Sequence, residues 1–514
     1  MSISIYIATK PDWKNLIVTL LKEQYSLEDC FGEHIFSKYV SPHFDVLRDD
    51  VTLLAESGYV DGFYRDSYYQ YFSSKLKNYS RDCIRLSLFS GKISEDDFAN
   101  SSRYKELQGK YLGFYVLRPT FPNILGRSVI SPKAMKNNDI RICTCQFETT
   151  ALGLKFQVEG FPHSSQDTEI ITCAETTLWA VMEYFGEKYS NYKPVLPSII
   201  INQLTSVSYE RQIPSNGLNV DKISYALKEF GFGTRIYALD SFNEKKQNDE
   251  VKKEAENENT VGEFERLLSC YVESGIPLVL AIENEAESFA HALLVVGRKD
   301  NCDDKIDNMP SYFDKGKNIV IYDYDSVRRK LVYVDDNRPV YQTGYLPDLV
   351  AHYAGDNPKA CKVTHFIVPF YPKIYLEAFG ARLFVREFLL SGLLPIPENS
   401  EIIVKVFLAS SRSFKHELMR GNGVSGKLKS YILEKQLPKF IWLAEISTGH
   451  LTKDGMASGL MILDATEPNR DYSPLIVAAY EGNFIEYGLC SGNYEKKVLH
   501  FEPFKIYEHN LRSH

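Results

Sequence analysis

Residues 166–186 read QDTEIITCAETTLWAVMEYFG, and this stretch sets the fold expected for the middle of the chain. Ala174, Leu178, Val181, Met182 and Phe185 recur at helical spacing, which predicts a helix with Thr172 as N-cap and Gly186 as C-cap. Cys173 then opens that helix. At such a position, unsatisfied backbone N–H groups and the helix dipole favour a thiolate over a thiol. Gln166, just upstream, carries an amide that can join the Cys173 backbone N–H in receiving a developing oxyanion. Glu175, in the first turn, opposes thiolate formation by charge repulsion.

Two further segments, later in the chain, carry the other groups that nucleophilic acyl transfer needs. His291 heads the apolar strand HALLVVG, where a buried ring without partners costs about 1–3 kcal/mol. A thiolate on one side and a carboxylate on the other satisfy both nitrogens. Asp335 and Asp336 follow the strand KLVYV, and strand alternation points only one of them at the imidazole. The residues do not say which. His365, heading THFIVP, is the competing histidine and is expected to pack structurally; Asp323 and Asp325 are the lesser alternatives for the acid.

The order Gln166, Cys173, His291, Asp335/Asp336 comes with matching flanks. The glycine turn and helix of NGLNVDKISYALKEFGF, the segment SGIPLVLAIEN before HALLVVG, and the turn VDDNRPVY together resemble the bacterial C39-like peptidases of the papain-like superfamily, over residues 160–342. The resemblance implies Cys173 as nucleophile, His291 as general base and acid, Asp335 or Asp336 as orienting acid, and Gln166 in the oxyanion hole. It implies a cysteine hydrolase cleaving an amide or isopeptide bond in a protein or peptide, with no cofactor. Transglutaminase-like or deamidase-like transfer on the same triad is one alternative. The other is an inactive papain-like binding protein, motivated by Glu175.

The rest of the chain bounds this reading. With 514 residues, 44% of them hydrophobic and 25% charged, several domains are expected and global disorder is excluded. A net charge of -8 argues against a nucleic-acid surface. The nine cysteines, an odd number scattered through a long chain, are not a disulfide framework, and Cys143 and Cys145 in RICTCQF are expected to share one face of a strand. No signal peptide or membrane-spanning run is read, so a cytoplasmic protein is expected. No metal or phosphate motif appears.

The expected fold class is α+β, in three parts. Residues 1–158 predict a helical then β region; residues 159–375 a papain-like hydrolase domain with a charged insertion at 243–260; residues 376–514 a C-terminal α+β domain. Within the second part, NIVIYDYD and KLVYVDDN suggest a hairpin. Arg412, His416, Glu417, Glu445 and His450 are assigned to packing or surface.

Overall fold

A computed structural model of the chain describes residues 4–209, 211–215, 217–242, 262–284, 289–300, 311–314, 316–324, 330–355, 361–421, 423–467, 473–488 and 491–513. The fold is mixed, 34% helix and 33% strand, as expected for an α+β chain. The charged insertion at 243–260, Cys302 and Asp325 lie outside the described residues.

The first hundred residues hold more helix than strand, as the sequence predicts, but three strands run between the helices. Strands Ile5–Thr9, Val51–Tyr59 and Cys83–Ser90 alternate with helices Trp13–Tyr25 and Gly62–Gln70. They continue through Tyr111–Leu117, Ser128–Ile130, Leu154–His163 and Cys145–Ala151 into one antiparallel sheet, paired in that order. Residues 51–56 and 83–89 are buried without alternation. A strand covered on both faces loses the period of two that would identify it in sequence.

The central sheet runs Gln342–Gly344, Leu331–Val334, Phe289–Lys299, Leu278–Asn284, Cys361–Phe370, Gly233–Ala238, with antiparallel neighbours throughout. Helix Val220–Glu229 precedes its last strand and ends at Gly231, φ +95°, with Phe232 N–H bonded to the Leu227 carbonyl. Ile140–Ile142 pairs with the far end of Phe289–Lys299, while Cys145 begins a strand of the N-terminal sheet. The chain therefore changes sheet between Cys143 and Cys145, and the single strand expected there does not exist. Both thiols are buried, and burial pushes Cys143 up to about 11.

Helix Cys173–Lys188 packs between these two sheets, against Phe289–Lys299 on one side and Cys145–Ala151 and Leu154–His163 on another. It is buried continuously from Ala174 to Phe185. Phe63 lies 4.4 Å, ring to ring, from Trp179, and Arg127 bonds Glu183 at 2.7 Å. Gly186 is not the C-cap; the helix runs on to Lys188 and Tyr189 caps it. A Cβ at Gly186 would meet Pro194 N at 2.3 Å, so glycine is required there by a close backbone approach.

The expected hairpin also separates. Leu331–Val334 stays in the central sheet, whereas Ile319–Asp323 pairs with Tyr312–Asp314 and runs parallel to Glu401–Ser410. It thus joins the C-terminal sheet, which continues through Phe440–Ser447, Gly459–Asp464, Leu475–Tyr480, Asn483–Gly488 and Asn493–Val498. At the end of this strand Arg266 and Arg382 bind the Asp323 carboxylate at 2.7 and 2.6 Å. No helix among the described residues is long and apolar enough to cross a membrane.

Candidate active site

Cys173 is held where the sequence places it, at the start of its helix. Upstream, Asp167 Oδ1 accepts three successive backbone N–H groups, from Glu169, Ile170 and Ile171, at 2.8–3.0 Å. That turn delivers an extended Thr172 as N-cap. Glu175 reaches back to the Thr172 N–H at 3.1 Å and to its hydroxyl, and takes a further bond from Ser215 at 2.5 Å. Its carboxylate is thus occupied in a capping box rather than facing the thiol unpartnered. The expected repulsion is answered by these donors.

The helix lies across the strand that carries the histidine. Thr177, one turn after Cys173, donates to the Ala292 carbonyl at 3.5 Å, which fixes the start of the helix beside His291. Cys173 is half-buried and close enough to the His291 side chain to help raise its affinity for a proton. On its other side, Nε2 of His291 is 3.0 Å from Asp335 Oδ1, 3.0 Å from the Tyr353 hydroxyl and 3.7 Å from Asp336 Oδ1. Nδ1 is therefore the nitrogen left for the sulfur. Burial alone would lower the imidazole, but its hydrogen bond to Asp335, the nearby Cys173 side chain and the charges of both aspartates raise it well above the ordinary histidine value. This ring holds a proton more tightly than a free imidazole does.

Both aspartates approach the ring, contrary to the alternation argument. The strand stops at Val334, so Asp335 and Asp336 belong to a turn and the period of two no longer applies. They differ in environment. Asp335 also accepts the Asn337 N–H at 3.0 Å and the Tyr353 hydroxyl at 2.7 Å, and although burial raises it, these partners and His291 hold it below its ordinary value. Asp336 has no hydrogen-bond donor to its carboxyl oxygens among the described residues, and burial together with the Asp335 charge pushes it up to about 8. Asp335 is the ionised member and Asp336 the protonated one. His163 lies beneath, its Nε2 3.2 Å from the Asp335 carbonyl, and burial pulls it down to about 4. It is neutral.

Gln166 is close but turned aside. Its amide donates to Asn337 Oδ1 at 3.1 Å and, among the described residues, makes no bond to Cys173. Asn337 Nδ2 in turn donates to the Tyr353 hydroxyl at 3.3 Å. Tyr353 is the site residue that the sequence reading misses. It follows helix Leu346–Ala351, in the segment LVAHYAG, where neither spacing nor composition sets it apart from an ordinary helix end.

His365 does not reach this site. It pairs with Ala281, which pairs with Ala292, so His365 shares the sheet face of Ala292 rather than that of His291. It bonds Thr364 instead, at 3.0 Å. In the C-terminal region, Glu417 and Glu445 are both buried and line a cavity of about 570 Å³ with Phe414 and Tyr507. His450 is exposed.

The arrangement offers a half-buried nucleophile, a charged acid–base group and one ionised orienting carboxylate. The donor atoms of His291, Asp335 and Asp336 also lie within 4.8 Å of one another, a spacing a metal ion can use. The bonds that Nε2 and Asp335 already make to each other and to Tyr353 favour acid–base chemistry over ligation. No family model matches this chain, and no curated protein sequence matches it significantly.

Proposed function

We propose that the protein is a cysteine hydrolase of papain-like type that cleaves an amide or isopeptide bond in a protein or peptide. The observation that carries this reading is Cys173 at the start of a helix packed on the strand of His291, whose ring bonds an Asp335 held below its ordinary value. An antiparallel sheet supplying the histidine beside a helix supplying the cysteine supports the C39-like resemblance as well.

In the proposed reaction the Cys173 thiolate attacks the carbonyl carbon, and the π electrons move to oxygen. The Cys173 backbone N–H receives that oxyanion, joined by the Gln166 amide once it leaves Asn337. His291 gives its proton to the leaving nitrogen, the C–N bond breaks, and the acyl group stays on sulfur. Neutral His291 then takes a proton from water, whose oxygen displaces the thiolate and releases the acid. Asp335 keeps the ring oriented through both steps.

A peptide vinyl sulfone combined with a peptide library tests this. The expected result is adduct formation at Cys173 and new amino termini in the library, both lost in Cys173→Ser. Incorporation of an added amine, or ammonia release without chain cleavage, would move the reading to transglutaminase-like or deamidase-like transfer. A second reading, a non-catalytic binding protein, is favoured by the Gln166 amide being engaged by Asn337. It predicts no adduct and no product.

A further inference from the structure

Tyr353 packs against the hydrophobic core and turns its ring and hydroxyl to the candidate site. Its ring lies against the His291 imidazole, centroids 4.6 Å apart and planes tilted by 43°. Its hydroxyl lies within 2.7–3.0 Å of three atoms of the candidate site: both Asp335 carboxylate oxygens and His291 Nε2. A phenol has one proton, and Asp335, an ionised carboxylate with no proton of its own to give, is where it goes. The oxygen then presents its lone pairs to the Nε2–H of the imidazolium and to the Asn337 Nδ2–H, 3.3 Å away. Every hydrogen-bonding valence of the hydroxyl is used inside the site.

These bonds also close a path. Gln166 donates to Asn337, Asn337 to Tyr353, Tyr353 to Asp335, and Nε2 of His291 faces both of the last two. We propose that Tyr353 is a positioning residue of the Cys173–His291 dyad: its hydroxyl braces the imidazolium and Asp335 together, and Asn337 couples that brace to Gln166. The inference rests on the hydrolase reading above and names the side chain that sets how much of the site exists as the thiolate–imidazolium pair. The phenol oxygen accepts from the charged ring more strongly than from the neutral one, so it favours imidazolium and therefore thiolate. When Gln166 turns to an oxyanion, Asn337 is released and Tyr353 keeps its bonds to Asp335 and His291, so the base stays aligned while the oxyanion forms.

The test needs no substrate. Alkylation of Cys173 by iodoacetamide, followed on the Cys173 peptide by mass spectrometry, reports the thiolate: sulfur displaces iodide and a thioether forms. Rates are measured from pH 5 to pH 10 for the wild type, Tyr353→Phe, Asn337→Ala and His291→Ala. Tyr353→Phe keeps the ring and removes the bonds, and is expected to lower the rate at pH 6 about tenfold, the loss of one hydrogen bond to a charged group. At pH 10, where the thiolate forms without help from the ring, its rate is expected to stay within about twofold of wild type. A purely structural role would move the melting temperature and leave the ratio of the two rates unchanged. Asn337→Ala removes one donor to the phenol, and an intermediate loss at pH 6 supports the same path. If Tyr353→Phe superimposes on the wild type while His291→Ala loses the low-pH reactivity, the dyad stands and the role given to Tyr353 is wrong. If His291→Ala also superimposes on the wild type, the hydrolase reading fails and the inference falls with it.

Discussion

At neutral pH the Asp336 carboxyl keeps its proton, 3.7 Å from an imidazolium, because burial and the neighbouring Asp335 charge outweigh that attraction. The consequence for stability has a definite sign. A carboxyl raised to about 8 in the folded chain, against 3.8 in the open one, binds more protons folded than unfolded between those values. Stability therefore falls as pH rises through that window, by at most about 1.4 kcal/mol per pH unit, and flattens above it. Asp336→Asn removes the titration. Its melting temperature relative to wild type is expected to rise steadily from pH 5 to pH 8; a constant difference over that range would contradict the assignment. Asp335→Asn behaves oppositely in function, since it removes the charge that faces Nε2.

What the sequence shows at this scale depends on how much local pattern surrounds a residue. Cys173 sits between an N-cap and an apolar stripe, and His291 follows a Gly-Ile-Pro strand, so both are readable and the structure brings them together. The division of labour between Asp335 and Asp336 is not readable. It depends on the strand ending at Val334 and on a donor, Tyr353, that arrives from a distant helix end.

Among elements, the cysteine helix is the one to which most of the molecule is fitted. Gly186 lies inside it, and a Cβ there would meet Pro194 N at 2.3 Å and Pro194 Cδ at 2.5 Å. An exposed mid-helix glycine gains about 1 kcal/mol on replacement by alanine. Here the clash is with backbone and a proline ring, which cannot rotate away, and overpacking of this kind costs about 1–3 kcal/mol. Gly186→Ala is expected to lower the thermal midpoint; a raised midpoint would mean that the Tyr192–Pro194 segment moves freely. The sequence supports a C-cap at Gly186 equally well, because glycine is required both where φ is positive and where backbones touch. The buried strands of the N-terminal sheet are illegible for a related reason: a segment covered on both faces carries no period.

At the scale of the whole molecule, the three expected segments exchange elements. Ile319–Asp323 belongs to the C-terminal sheet, Ile140–Ile142 and Arg512–Ser513 attach to the central one, and Trp179 and Glu183 of the cysteine helix hold Phe63 and Arg127. Buried charges cross the same seams. Glu273 bonds Arg298 beside it and Lys405 of the C-terminal sheet at 3.3 Å, and Asp323 takes both Arg266 and Arg382. Cutting at 158 and 375 leaves each of these buried carboxylates with one of its two cations and strips Ile319–Asp323 of its partner strand Glu401–Ser410. A fragment of residues 159–375 is expected to be aggregated or unfolded by size-exclusion chromatography and circular dichroism. A monomer melting cooperatively like the full chain would contradict this. None of these exchanges is local in sequence, so periodicity and turn signals, which read a few residues at a time, do not show them.

The proposed function stands on His291 acting on the Cys173 thiol. The most direct measurement is the ultraviolet thiolate absorbance of the full-length protein, taken as the difference between wild type and Cys173→Ser across pH and repeated in the His291→Ala background. The thiolate signal of Cys173 at neutral pH is expected to be several-fold larger in the wild type than in His291→Ala. A Cys173 thiolate signal that His291→Ala leaves unchanged would overturn the pairing of these two side chains.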